Sequence, residues 1–110
     1  MSLPLQDVWL PEVEAEYLSL LRVSRDVGVE VGNQFRAFER IMERGVDAAW
    51  RPIDFEGSAA IYVMSDRHAL MFFAVSGSEV AIVKWTTVGT EYEQRLAREE
   101  ARRRAGQRFP

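Results

Sequence analysis

The spacing of apolar positions changes along the chain, and each change marks an element. Gln6 to Leu10 alternates and predicts a short strand, with Val8 and Leu10 on one face and Trp9 on the other. Pro11 follows, a residue that fits the first turn of a helix because its missing N–H would have no partner there. Val13, Tyr17, Leu20 and Leu21 then recur at helical spacing and predict a helix over 11–23. Glu12, Glu14 and Glu16 lie in its first turns, where they oppose the helix dipole favourably. Val27, Val31, Phe35, Phe38 and Met42 make a single stripe and predict a second helix over 26–44, closed by Gly45. Gly28 and Gly32 weaken its first turns by about 1 kcal/mol each relative to alanine, so Asn33 is an alternative start. A short link makes the two helices an antiparallel hairpin.

Residues 46–57 have no period and read as a loop, punctuated by Pro52 and Gly57 and pinned to the core by Trp50, Ile53 and Phe55. The period then becomes that of strands. Residues 58–64, 69–75 and 79–87 are rich in β-branched and aromatic side chains, with turn chemistry at Ser65–His68 and Ser76–Ser78. Such short links predict an antiparallel three-stranded meander. The middle strand is apolar at every position, so both its faces must be covered. Thr90 and Glu93 form a capping box that opens a final helix running to about Ala105. Its apolar stripe is thin, made of Tyr92, Leu96, Ala97 and Ala101, so it docks by one edge or projects into solvent. Glu91 with Arg95, Glu99 with Arg103 and Glu100 with Arg104 have the spacing of stabilising helical ion pairs. The whole reads as a single α+β domain over 1–110, a wholly antiparallel platform backed by the helical hairpin, with a basic C-terminal helix at 90–106.

Composition narrows the functions. The 110 residues contain no Cys and one His, which excludes a disulfide scaffold and a Cys/His zinc site. The longest apolar run, Ala69 to Val75, is far short of a membrane span, and the opening residues lack the basic start of a signal peptide, so a cytoplasmic protein without membrane contact is expected. The net charge of −3 is unevenly spread: residues 1–60 hold 11 acidic and 6 basic groups, whereas residues 95–110 hold 6 basic and 2 acidic. An acidic body carries a basic tail, and only that tail offers phosphate a basic patch.

Candidate chemistry is sparse. His68 is the one side chain that titrates near neutrality unaided, and it sits at a predicted turn; the competing reading is a solvated turn histidine. There is no phosphate-cradling glycine loop and no serine-nucleophile elbow. Glu12/Glu16 and Glu39/Glu43 could place carboxylates between two helices, but interleaved Arg36, Arg40 and Arg44 favour a salt-bridged outer face over a metal site. No cofactor and no metal are expected. Lys84 and Trp85 at the end of the last strand, with Tyr92 and Arg95 one turn apart on the next helix, could hold a phosphodiester, with Trp85 stacking on a base. Alternatively Trp85 and Tyr92 anchor that helix to the sheet. Arg98, Arg102, Arg103, Arg104 and Arg108 form either a nucleic-acid contact or a solvated helix face.

The order of strand, helical hairpin, meander and terminal helix resembles the RelE/ParE-like superfamily of bacterial toxins from toxin–antitoxin pairs. The most similar stretches are residues 72–83, which look like paired strands around a tight turn, and the Glu/Arg-rich helix after them. The resemblance implies a metal-independent endoribonuclease that cuts messenger RNA on the ribosome, held in check by a cognate antitoxin. Through the resemblance Arg67 and His68 match the family's place at the start of the middle strand and Tyr92 its tyrosine; with the residues singled out above, a nuclease would use Tyr92 and His68 for proton transfer and Arg67, Lys84, Trp85, Arg95, Arg98 and Arg102 for phosphate or RNA contacts. Residues 86–89, where family ribonucleases carry basic groups, are Thr-Thr-Val-Gly, and the pI of about 5.2 departs from the strongly basic members. A second reading follows from these departures: a non-enzymatic protein-interaction module, gyrase-directed or with a degenerate site. A small dimeric domain of unrelated descent is a third.

Overall fold

The computed structural model describes residues 6–110, with side chains from Leu10 onward. The faces expected for Val8 and Trp9, and the first five residues of the stretch read as lacking a leader, lie outside the described residues. The elements are β1 (Gln6–Trp9), α1 (Pro11–Leu20), α2 (Arg25–Arg44), β2 (Asp54–Glu56), β3 (Ala59–Ser65), β4 (Ala69–Ser76), β5 (Glu79–Thr87) and α3 (Glu91–Arg108). The sheet order is β1-β5-β4-β3-β2. The fold is α+β, with three helices and four consecutive antiparallel strands, β2 to β5.

Two expectations need correction. The stretch read as loop up to Gly57 ends in an edge strand, β2, pairing Asp54 with Ile61 and Glu56 with Ala59. Three residues are too few to show a period, which is why the pattern hides it. The platform is also not antiparallel throughout: β1 runs parallel to β5, from Gln6 opposite Glu79 to Trp9 opposite Ile82.

The sheet is covered on both faces, as the apolar β4 requires. Val13 and Leu20 of α1 and Val27, Val31, Phe38 and Ile41 of α2 pack on Met71, Phe73, Val80, Ile82 and Trp85. Ser24 caps α2, its side chain accepting from Val27 N, so the helix starts there despite Gly28 and Gly32. On the opposite face Ala97, Ala101 and Ala105 of α3 sit on Ile61, Phe72, Ala74, Ala81 and Val83. Thus α3 docks along an alanine edge and does not project. Its capping box forms as expected, but Tyr92 and Leu96 face outward, and the helix continues past Gly106 to Arg108. Phe55, expected to pin the loop, is 67% exposed, while Trp50 does so against Phe73, with ring centroids 5.7 Å apart.

Among the described residues no helix is long and apolar enough to cross a membrane.

Candidate functional site

The expected phosphate grip begins at β5, where a bulge decides which side chains face which way. Phe72 pairs with Lys84 but Phe73 pairs with Ile82, so Val83 is the extra residue. An extra residue inverts the alternation beyond it. Val80 and Ile82 face the helical hairpin, and after the bulge Trp85 does so in place of Lys84. Trp85 is therefore 1% exposed, packed against the Tyr17 ring at 5.2 Å, with its Nε1 donating to Gln34 Oε1 at 2.9 Å. It cannot stack on a base. Nor do Trp85 and Tyr92 anchor α3: Trp85 lies on the opposite face of the sheet, and Tyr92 is 66% exposed.

Among the described residues no strand lies beside the outer edge of β5 beyond Ile82, because β1 ends opposite that residue. Backbone groups at such an edge need partners, and charged side chains supply them. Glu16 Oε1 accepts from Trp85 N at 3.0 Å, and Arg104 Nη1 donates to Val83 O at 3.0 Å. The two side chains also bond each other at 3.0 Å, and Lys84 Nζ reaches Glu16 Oε2 at 2.6 Å. Arg104, the buried member, closes the network by donating from Nε to Glu100 at 3.0 Å. Lys84, expected to bind phosphate, is thus part of a structural seam joining α1, β5 and α3.

Two further expected phosphate ligands are engaged elsewhere. Arg98 bonds Asp54 at 3.2 Å and also donates to Ile53 O, while Arg102 bonds Glu56 at 3.0 Å and lies 3.4 Å from Asp54. Together they tie α3 to the edge strand β2. Burial acts to raise the Asp54 carboxyl, but the Phe55 amide and the Arg98 and Arg102 guanidinium groups outweigh it and hold Asp54 below its ordinary value. Of the expected helical ion pairs, Glu100–Arg104 is present, whereas Arg103 bonds Glu100 in place of Glu99. Bonding from Arg103, then from Arg104, holds the Glu100 carboxyl down to about 2 against the cost of its partial burial.

These depressed carboxyls set the sign of an acid response. A carboxyl lowered on folding contributes stability that is complete above its unfolded value and is lost as pH falls through the folded one. For Glu100 that window runs from the ordinary 4.5 down to about 2. Urea midpoints measured across that window should fall with pH, and Glu100→Gln should flatten the fall.

The remaining expected residues gather at one end of the sheet. In the Ser65–His68 turn, Asp66 N donates to Ala69 O at 3.0 Å. Glu30 of α2 accepts from His68 N at 2.7 Å and from Ala69 N at 3.0 Å, and Gln34 Nε2 reaches Asp66 and Ala69 O, each at 3.0 Å. From the other side Val88 N donates to His68 O at 2.8 Å, which brings the link into α3, and hence Tyr92, to the same end. The His68 ring lies 4.0 Å from Glu30 Oε2, outside hydrogen-bond range, so nothing shown orients it as a catalytic base. Arg67 is exposed, and Arg95 lines a groove of about 340 Å³ between α3 and the sheet, with Val63, Leu70 and Phe72 at its floor. Among the described residues no acidic or histidine cluster could hold a metal. Sequence reasoning missed Glu30 and Gln34, whose roles depend on α2 lying over the turn; no local signal marks either one. No family model, no curated protein and no solved structure matches this chain.

Proposed function

We propose that this chain works by binding another protein, as the toxin-like member of a bacterial toxin–antitoxin pair that does not itself cut RNA. One observation carries the choice over the ribonuclease reading: three of the five basic side chains expected to hold a phosphodiester are engaged within the fold, Arg67 and Arg95 being the exceptions. Lys84 is bound to Glu16, Arg98 to Asp54, and Arg102 to Glu56. A developing phosphorane needs donors aimed at it before the reaction, and drawing these groups away would break the seams that hold α3. The buried Trp85 removes the expected base platform as well.

The toxin–antitoxin setting is supported by element order alone: strand, helical hairpin, antiparallel meander, terminal helix. The parallel β1–β5 seam departs from the all-antiparallel platform expected. The roles carried through the resemblance therefore weigh less than the geometry.

Expression in a bacterial host, followed by mapping of messenger 5′ ends, tests this reading. Wild type should generate no new ends, and His68→Ala and Tyr92→Phe should match it in growth effect. New ends that vanish in either variant would establish the ribonuclease instead.

A further inference from the structure

The spacing of Glu91 and Arg95 predicts an ion pair on the first turns of α3, but the pair does not form. Neither side chain has a charged or hydrogen-bonding partner among the described residues. Glu91, Arg95, Arg98 and Arg102 share one stripe of α3, beside its alanine edge. The lower half of that stripe is neutralised by β2, where Asp54 holds Arg98 and Glu56 holds Arg102. β2 begins at Asp54, so the upper half meets no acid from that strand. It faces Val63, Ser65 and Leu70 instead, none of them charged.

Two unpaired charges of opposite sign thus stand over an apolar floor. The groove between them and the sheet holds about 340 Å³, near the small end of ligand sites, which run from roughly 300 to 1,000 Å³. Leu70 and Phe72 in its floor are almost wholly covered, so packing fixes the floor before anything binds. Gln94 adds a polar group to the same wall. Its amide nitrogen donates to Gly89 O at 3.1 Å, which leaves its carbonyl oxygen to accept from a ligand.

Charge selects that ligand. A lone anion on Arg95 would meet the Glu91 carboxylate, and a lone cation on Glu91 would meet Arg95, so one wall would repel either. A ligand carrying both charges close together avoids both penalties. Residues four apart on a helix have Cβ atoms roughly 5–6 Å apart, a gap that an ammonium and a carboxylate on one carbon can bridge. Such a ligand is neutral overall, so its apolar body can lie on the floor without stranding a charge there.

We infer that this groove binds a free α-amino acid with a bulky apolar side chain. Its carboxylate lies on Arg95, its ammonium on Glu91 and the Gln94 oxygen, and its side chain on Leu70 and Phe72. A peptide end offers only one of the two charges, so an extended partner segment does not match the pair.

The test titrates the isotope-labelled full chain with phenylalanine, read at each backbone amide. Saturable shifts are expected at Val63, Leu70, Glu91 and Arg95, with half-saturation on the order of 1 mM for so small a ligand. Glycine, which lacks the apolar body, should produce none. Phenylalanine amide and N-acetylphenylalanine each lack one charge and should bind roughly tenfold more weakly, the worth of one hydrogen-bonded charge. Arg95→Gln should weaken phenylalanine roughly tenfold without weakening its amide. Glu91→Gln should weaken phenylalanine similarly without weakening the N-acetyl form. Both side chains are exposed, so neither change threatens the fold. Shifts absent, located elsewhere or matched by glycine overturn the inference. So does equal binding of either singly charged analogue, which would assign the groove to an apolar chain segment.

Discussion

Replacing Glu16 with alanine should lower the unfolding free energy by about 3 kcal/mol, because it strips a partner from a buried charge and an edge amide together. Arg104 would keep Glu100 as its one carboxylate partner beside the Val83 carbonyl, and the Trp85 N–H would lose its bond to Glu16. Removing one member of a buried pair costs more than replacing the pair with apolar groups of similar size. Arg104→Met should therefore be milder, since Glu16 would retain Lys84 at 2.6 Å and remain partly solvated. The double variant should cost less than the two single changes added together, as expected for side chains in one network. Urea unfolding of the four proteins measures each arm. Additive losses would show that the two residues do not interact in solution.

Gly57→Ala is expected to be comparably damaging, for an unrelated reason. Gly57 sits at φ +57°, and a Cβ there would lie 2.1 Å from the carbonyl oxygen of Phe109. That oxygen is fixed by Ser58 N at 2.9 Å, and the Phe109 ring is buried under the sheet. The methyl must either break the β2–β3 turn or evict the C-terminus. Left-handed strain of roughly 1 kcal/mol plus exposure of a phenylalanine at about 2 kcal/mol gives about 3 kcal/mol. Gly77 separates the two contributions: its φ is +61° but nothing lies within 4 Å of its Cβ position. Gly77→Ala should show the strain alone. Deleting Phe109 and Pro110 should likewise reduce the further loss caused by Gly57→Ala to the strain component. A loss at Gly57 no greater than at Gly77 would mean that the C-terminus is not docked there.

Most of the fold could be read from local pattern. The β4 run of apolar residues declared its two covered faces, and Thr90 with Glu93 declared the start of α3. The candidate site could not be read in the same way. Residue type at a strand end points to its expected members only where a cation there is available. Lys84 is not, because β1 stops at the level of Ile82 and leaves an edge that charged groups must satisfy. No local signal reveals where a partner strand ends. The bulge at Val83 is equally silent, yet it alone turns Trp85 from a surface ring into a core one. Tyr92 erred the other way: its helical spacing suggested burial, but the alanines further along α3 make the contact and leave it in solvent. Pro52 has the signature of loop punctuation in the sequence, and in the fold its missing donor also ends the β2–β3 pairing.

The most direct test of the central claim, that Lys84, Arg98 and Arg102 hold the fold together and do not hold nucleic acid, is an anisotropy titration of the purified full chain into labelled single-stranded RNA at low salt. No saturable binding is expected up to ~100 µM protein, the weak end of non-specific association. Saturable binding whose salt dependence becomes shallower in Lys84→Ala, or in Arg98→Ala with Arg102→Ala, would show those cations on phosphate and contradict it.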